Sequence, residues 1–459
     1  MAPMPITDAI FLLAERREQP MHVGGLQLFE LPEGAGPEWV RELYQDVIAA
    51  RDVSLMFRRR PHRSLTTLGA WGWQEDPDID LEHHVRHSAL PGPGRVRELL
   101  ALTSRLHGTL LDRHRPLWEA NLIEGLEGRR FAVYTKIHHS VVDGVSALRL
   151  LQHSLSPDPA ARDLPTPWSV EPPRRSAEEH PSGGLRSLLD IPRSALSAAG
   201  EVAGLAPAAG KAAVKALIDQ SSYLPSLAPK TILNQQITGA RRYAAQSWPM
   251  ARIRAVAQAT GTTINDVVLA MCSSALRTYL DSLGALPEAP LVAMTPVSLR
   301  RERDDIGGNA VGAILCNLAT DVDDPAKRLE AIHDSMEQGK QSLRAMSPTQ
   351  VMLASAATLM PMMLSMVAGV RRVAAPAYNL VISNVPGPKE ALYWNGARLE
   401  GVYPLSIPMD GQALNITVTS YNGNLDFGLT GCRRTVPHLQ RMLEYLESGL
   451  AELESAAAV

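Results

Sequence analysis

Apolar and polar positions along the first 160 residues switch between two periods. From Phe131 to Ile137 the side chains alternate, which predicts a half-buried strand ending at His138 and His139. Trp118 to Ile123 is a second strand-like run. The two read as a hairpin turning through Glu124–Gly128, where glycines permit positive φ. After Gly144, Val145 to Leu155 takes helical spacing, as do Asn265 to Leu280 and the C-terminal stretch HLQRMLEYLESGLAELES. Tyr378 to Asn384 reads as a buried strand. From residue 156 the chain turns to Pro, Ser and charge, the signature of an irregular surface linker. Residues 185–220 are rich in Ala and Leu and read as helix broken near Pro192 and Pro207. The pattern therefore divides the chain into a mixed unit at 1–160, a linker with helical segments at 161–233, and a second mixed unit at 234–459. No repeat of fixed period is evident.

One stretch raises the question of a membrane. Val351 to Val370 carries no charge and is followed by Arg371 and Arg372, and its length could span a bilayer. Pro361 near its middle, and the strand that follows it, favour a buried or surface-docked helix pair instead.

Composition narrows the class. Lys+Arg total 45 against 48 Asp+Glu, a formal charge of −3, and no long basic run occurs, so nucleic acid is not the expected partner. With 459 residues, 45% of them hydrophobic, the chain can bury a full core without staples. Cys272, Cys316 and Cys432 are far apart and form no disulfide framework, which suits a reducing cytoplasm. The first apolar run has no basic segment before it, so no signal peptide is read and a cytoplasmic location is expected.

The densest chemistry is KIHHSVVDGVSA, Lys136 to Ala147. Adjacent histidines at a strand end point to opposite faces, so at most one enters a given cavity. His139 shares parity with Val133, Thr135 and Ile137, and His138 with Tyr134 and Lys136. An imidazole there could take a proton from a substrate hydroxyl, since its ordinary pKa of ~6.5 lies near working pH. Asp143 could hold the loop through an arginine or backbone N–H groups. Taken alone, the segment fits a surface histidine pair before an Asp-Gly turn equally well.

Further segments extend the pattern: PMHVGGL (Pro20–Leu26), DRHRPLWE (Asp112–Glu119), NDVVLA (Asn265–Ala270), PVSLR (Pro296–Arg300), GGNAVG (Gly307–Gly312), VISNVPGP (Val381–Pro388) and LNITVTSYNGNLDFGLTG (Leu414–Gly431). HHSVVDG fits the HHxxxDG motif of CoA-dependent acyltransferases. The ordered set resembles the bacterial wax ester synthase/acyl-CoA:diacylglycerol acyltransferase family over nearly the whole chain, most weakly at 156–230. The resemblance implies an α/β fold of two chloramphenicol-acetyltransferase-like subdomains, with mixed sheets, flanking helices and an active-site tunnel between them. It implies acyl transfer from long-chain acyl-CoA to a fatty alcohol or diacylglycerol, with no cofactor, since acyl-CoA is a substrate. His139 would be the general base, His138 a supporting residue and Asp143 loop structure, while Gly144, there for its backbone geometry, would stand among the substrate-binding residues. No acyl-enzyme is implied, and neither a GxSxG elbow nor a cysteine beside a histidine is present. Peripheral contact with a membrane or lipid-droplet surface would suit such substrates.

Other candidates carry two readings each. Asn265 either caps its helix with Thr262 or Thr263, or positions substrate. Pro116, Leu117 and Trp118 are packing residues or, for Trp118, a wall for lipid. Ser383 and Asn384 precede a Pro-Gly-Pro turn that suits a crossover near the tunnel. Arg300, Arg301 and Arg303 are solvated charges or partners of CoA phosphates. Ala356 and Met360, with neighbouring small and flexible side chains, are core or a lipid passage. His83, His84 and His87 lack a further metal ligand, and the family implied by the motifs uses no metal. Two competing functions remain: a condensation-type transferase fed by a carrier protein, and a non-enzymatic lipid-body protein. The first is disfavoured by the PLW segment and the free-standing chain, the second by the complete HHSVVDG.

Overall fold

A computed structural model describes residues 2–63, 71–170, 228–298, 311–346 and 376–459. In the first part lie β1 (Ala2–Pro3), α1 (Ile6–Ala14), β2 (His22–Glu30), α2 (Trp39–Ala49), β3 (Arg59–Arg63), β4 (Trp71–Glu75), α3 (Leu81–His84) and β5 (Val85–Ala89). They are followed by α4 (Val96–His107), β6 (Trp118–Leu126), β7 (Arg130–His138) and α5 (Gly144–His153). The second part holds β8 (Arg241–Pro249), α6 (Met250–Thr260), α7 (Ile264–Ser282), β9 (Val292–Ser298), β10 (Val311–Asn317) and α8 (Pro325–Ala345). It continues through β11 (Leu380–Val385), β12 (Tyr393–Trp394), β13 (Ala397–Leu405), β14 (Leu414–Tyr421), β15 (Asn424–Cys432) and α9 (Arg441–Ala457).

Two mixed sheets organise these elements. The first runs β12-β13-β2-β7-β6-β5 and the second β10-β9-β11-β14-β15-β8; β1, β4 and β3 form a small third. Strands β12 and β13 are contributed from the second half of the chain to the first sheet, where β13 pairs antiparallel with β2. The Pro386-Gly387-Pro388 turn leads the chain out of β11 toward that crossover, and Gly387 anchors it by donating to the Ser420 hydroxyl at 3.0 Å. The hairpin expected from the sequence is β6–β7, with one correction. Strand β6 continues to Leu126 through an irregularity after Ile123. The turn is therefore later and tighter, with positive φ at Gly128 and Arg129. The segment after residue 156 is irregular but not simply surface, because Trp168 is buried and stacks on Trp118 with ring centroids 5.1 Å apart.

Each sheet buries an apolar face. In the first, Val23, Phe131, Val133 and Ile137 meet α2 and α5, while Leu26, Leu28 and Tyr134 meet α4 and Tyr243 of β8 on the other side. Gly25 lets α5 approach closely: a Cβ there would stand 2.7 Å from Leu151 Cδ1. In the second sheet, Ile382, Ile416, Val418 and Leu429 pack with α7 and α9. Its opposite face is polar and receives β13. There the Asp426 carboxylate accepts from Val402 N–H at 2.8 Å and from the Ser247 hydroxyl at 2.6 Å.

Burial outweighs those bonds and pushes the Asp426 carboxyl up to about 6. Because the folded value exceeds the ordinary one, the fold prefers the protonated acid. That contribution is full below about pH 4 and lost as pH rises through about 6. The melting temperature of the parent minus that of Asp426→Asn should fall across this interval. A pH-independent difference would contradict the assignment.

Candidate active site

Strand β7, central in the first sheet between β2 and β6, ends at the histidine pair, on the edge formed by the strand ends, and places the two rings differently. His138 is fully buried, its register partner being His22 on β2. The Ser140 N–H lies 3.1 Å from His138 Nδ1 and the Ser140 hydroxyl 2.7 Å. A backbone N–H only donates, so Nδ1 is the acceptor and the proton sits on Nε2. That nitrogen faces Glu15 Oε2 at 3.3 Å. His139 lies beyond the strand and is only half-buried. Its N–H donates to Met21 O at 2.8 Å, and its ring stacks on Phe11 with centroids 4.2 Å apart. The Nδ1 edge of His139 is buried.

Glu15 is the residue that sequence reasoning missed. Its side chain is 1% exposed and accepts from Arg113 Nε at 3.0 Å and from Met21 N–H at 3.2 Å. Burial alone would raise its carboxyl, but His138, the Met21 N–H and Arg113 together hold it below the usual carboxylate value. Arg113 in turn donates to Leu12 O at 2.8 Å, tying α1 to the loop before β6. Replacing Glu15 by glutamine keeps the shape and removes the charge. Turnover is expected to fall about tenfold, the worth of roughly 1.5 kcal/mol of orientation. Parent-like turnover in the folded variant would show that Ser140 alone orients His138.

A second buried layer, also unforeseen, backs this edge. His22 Nε2 donates to His107 O at 2.8 Å, His107 Nε2 donates to Ser406 O at 3.0 Å, and Tyr134 donates to His107 Nδ1 at 2.8 Å. Burial pushes His107 down to about 3 and His22 well below its ordinary value. Lys136, also buried, meets Glu119 Oε2 at 3.1 Å.

The remaining motif residues fall into place with two corrections. Asp143 caps α5: it accepts from Ser146 N–H at 2.8 Å and from the Ser146 hydroxyl at 3.1 Å. Gly144 is not there for an unusual backbone angle. It lies in the first turn of α5, is absent from the positive-φ positions, and a Cβ built on it would meet nothing within 4 Å. Nor does Asn265 cap α7. Thr263 and Asp266 do so reciprocally, and Asn265 stands half-buried in the first turn. Asp266 also holds His333 Nδ1 at 2.8 Å.

Pro116, Leu117 and Trp118 are buried, Trp118 between the rings of His84 and Trp168. Ser383 and Asn384 are half-buried on β11 in the second sheet. His84, His87 and His83 go separate ways: His84 bonds Trp118 O, His87 faces Glu124, and His83 sits on the helix cap. Ala356, Met360, Arg300, Arg301 and Arg303, with the whole Val351–Val370 stretch and residues 171–227, lie outside the described residues.

Comparison with known proteins places the chain. The wax ester synthase/diacylglycerol acyltransferase catalytic domain model matches residues 4–268, and the C-terminal domain model of the same family matches residues 307–454. A Mycobacterium tuberculosis protein named as a probable diacylglycerol O-acyltransferase is 53% identical over 453 residues, covering 98% of each chain. The solved wax ester synthase/diacylglycerol acyltransferase of Marinobacter aquaeolei superposes with a TM-score of 0.82 at 47% identity, covering 100% of both chains. The first condensation domain of the calcium-dependent antibiotic synthetase shares the fold at a TM-score of 0.59 and 17% identity, covering 100% of this chain and 96% of that one.

Proposed function

The chain belongs to the wax ester synthase/diacylglycerol acyltransferase family and is an O-acyltransferase, and from that premise we propose that His139 drives acyl transfer from long-chain acyl-CoA to a fatty alcohol or a diacylglycerol. The observation that carries this reading is the asymmetry of the histidine pair. His138 has both nitrogens committed to Ser140 and Glu15 inside the protein, whereas His139 is half-buried, backbone-anchored and stacked on Phe11.

His139 takes the proton of the acceptor hydroxyl as that oxygen attacks the thioester carbonyl. The carbon–sulfur bond then breaks, the proton passes to the departing thiolate, and ester and free CoA result. Glu15 and Ser140 orient His138, and the Asp143 cap fixes the start of α5. Because the acceptors are lipids, the reading includes contact with a membrane or lipid-inclusion surface. Among the described residues no helix is long and apolar enough to cross a membrane.

The test is to incubate purified protein with palmitoyl-CoA and either hexadecanol or dipalmitoylglycerol, following thiol release and the ester formed. Release of CoA matched by ester with at least one acceptor is expected. No release with either acceptor would overturn the proposal. Transfer only from a carrier-protein thioester would favour the condensation-type reading.

A further inference from the structure

The polar face of the second sheet has an unspent portion. Where β13 lies over it, each group has a partner: Asp426 accepts from Val402, Thr430 accepts from Ser406 N–H at 3.3 Å, and Tyr243 donates to Pro404 O at 3.3 Å. On the next strand the pattern stops at Asn415, which is 6% exposed. Its Oδ1 receives the Thr417 hydroxyl at 2.9 Å, which fixes the plane of the amide. Its Nδ2 makes no hydrogen bond among the described residues. Ser383 of β11 lies opposite Thr417 in register, half-buried, and its hydroxyl also has no bond among them. The Asn415 residue keeps little contact with water, and its amide donor, like the half-buried Ser383 hydroxyl, is open to an acceptor that reaches it.

These donors stand at the histidine end of the molecule. Asn415 pairs with Thr430, and Thr430 with Tyr243 near the start of β8. At that start Arg241 donates to Glu18 O at 3.0 Å. Glu18 belongs to the same loop as Met21, whose carbonyl holds His139. Asp410, on the approach to β14, donates to Gln19 Oε1 of that loop at 2.9 Å. Thr430 also holds Ser406, whose carbonyl takes His107 Nε2. Asn415 is thus two strands, about 10 Å, from the β8 edge on which the histidine loop rests.

We infer that Asn415, fixed by Thr417 and flanked by Ser383, receives a substrate carbonyl oxygen. The candidate oxygens are that of the acyl-CoA thioester and an ester oxygen of a diacylglycerol acceptor. The inference rests on the acyl-transfer reading above. A fatty alcohol carries no carbonyl, so comparing acceptors separates the two sources. The thioester oxygen gains negative charge as the acceptor attacks, so losing its donor lowers kcat. A diacylglycerol ester oxygen does not react, so losing its donor raises KM for that acceptor alone.

The experiment measures kcat and KM with palmitoyl-CoA, using hexadecanol and dipalmitoylglycerol in turn. Asn415→Asp, of the same shape but with an acceptor in place of the donor, should lower kcat/KM about 10- to 100-fold. Thr417→Val, which frees the amide to rotate, should lower it less, and Thr417→Ser should restore it. Loss of kcat with both acceptors assigns the thioester oxygen. A KM increase confined to dipalmitoylglycerol assigns the acceptor ester. Parent-like constants with both acceptors in folded Asn415→Asp and Thr417→Val overturn the inference. Should Asn415→Asp fail to fold, Ser383→Ala and Thr417→Val decide, with parent-like constants in both overturning it. A parent protein that releases no CoA with either acceptor overturns the acyl-transfer reading itself.

Discussion

Replacing His139 by alanine is expected to lower turnover by roughly 10²–10⁴, the usual worth of a general base, or about 3–5 kcal/mol of barrier. The fold should survive, because the ring is half-buried and the backbone bond to Met21 O is kept. His138→Ala should cost less activity and more stability. Its loss leaves the Glu15 carboxylate buried with one partner fewer and opens a void beneath Ser140. Steady-state CoA release and thermal melts on both variants check this. Equal loss of turnover at the two positions, in folded protein, would contradict the division of roles.

Placing a methyl group at Gly428 should loosen the join between the two sheets. A Cβ there would stand 1.9 Å from Pro404 O and 3.1 Å from the Tyr243 hydroxyl. The first obstacle is backbone of β13, which cannot yield without moving away from β15. That movement would stretch the bonds from Val402 to Asp426 and from Ser406 to Thr430. Gly428→Ala is therefore expected to cost about 1–3 kcal/mol or more, the range of an overpacked core. Activity should fall as well, since Ser406 also holds His107 beside the histidine edge. Denaturant unfolding reads this directly, and a midpoint equal to that of the parent would show that the join yields more easily than its geometry implies.

Much of the molecule was legible from local pattern. The β6–β7 hairpin, the helix after Gly144 and the long C-terminal helix follow from side-chain periodicity, which depends only on near neighbours in sequence. Contributions between distant segments were not legible. Nothing in the text around Tyr393–Leu405 says that this strand leaves its own half to pair with β2, because strand pairing is decided by the whole sheet. Glu15 reads as the polar end of an amphipathic helix, and only folding sets it against His138 and Arg113. Local custom gives Gly144 backbone freedom and Asn265 a capping role. The helical backbone at Gly144 and the reciprocal Thr263–Asp266 cap decide otherwise. The histidine motif was legible because its chemistry is contiguous.

The central claim is direct transfer assisted by His139, and intact-protein mass spectrometry after mixing with palmitoyl-CoA tests it most directly. Without an acceptor, the protein mass should stay unchanged and no CoA should be released. Adding hexadecanol or dipalmitoylglycerol should release CoA and ester in equal amounts, again with no change in protein mass, and His139→Ala should all but abolish that release. A protein species heavier by one palmitoyl group, formed before any acceptor is added and discharged when it arrives, would contradict the account.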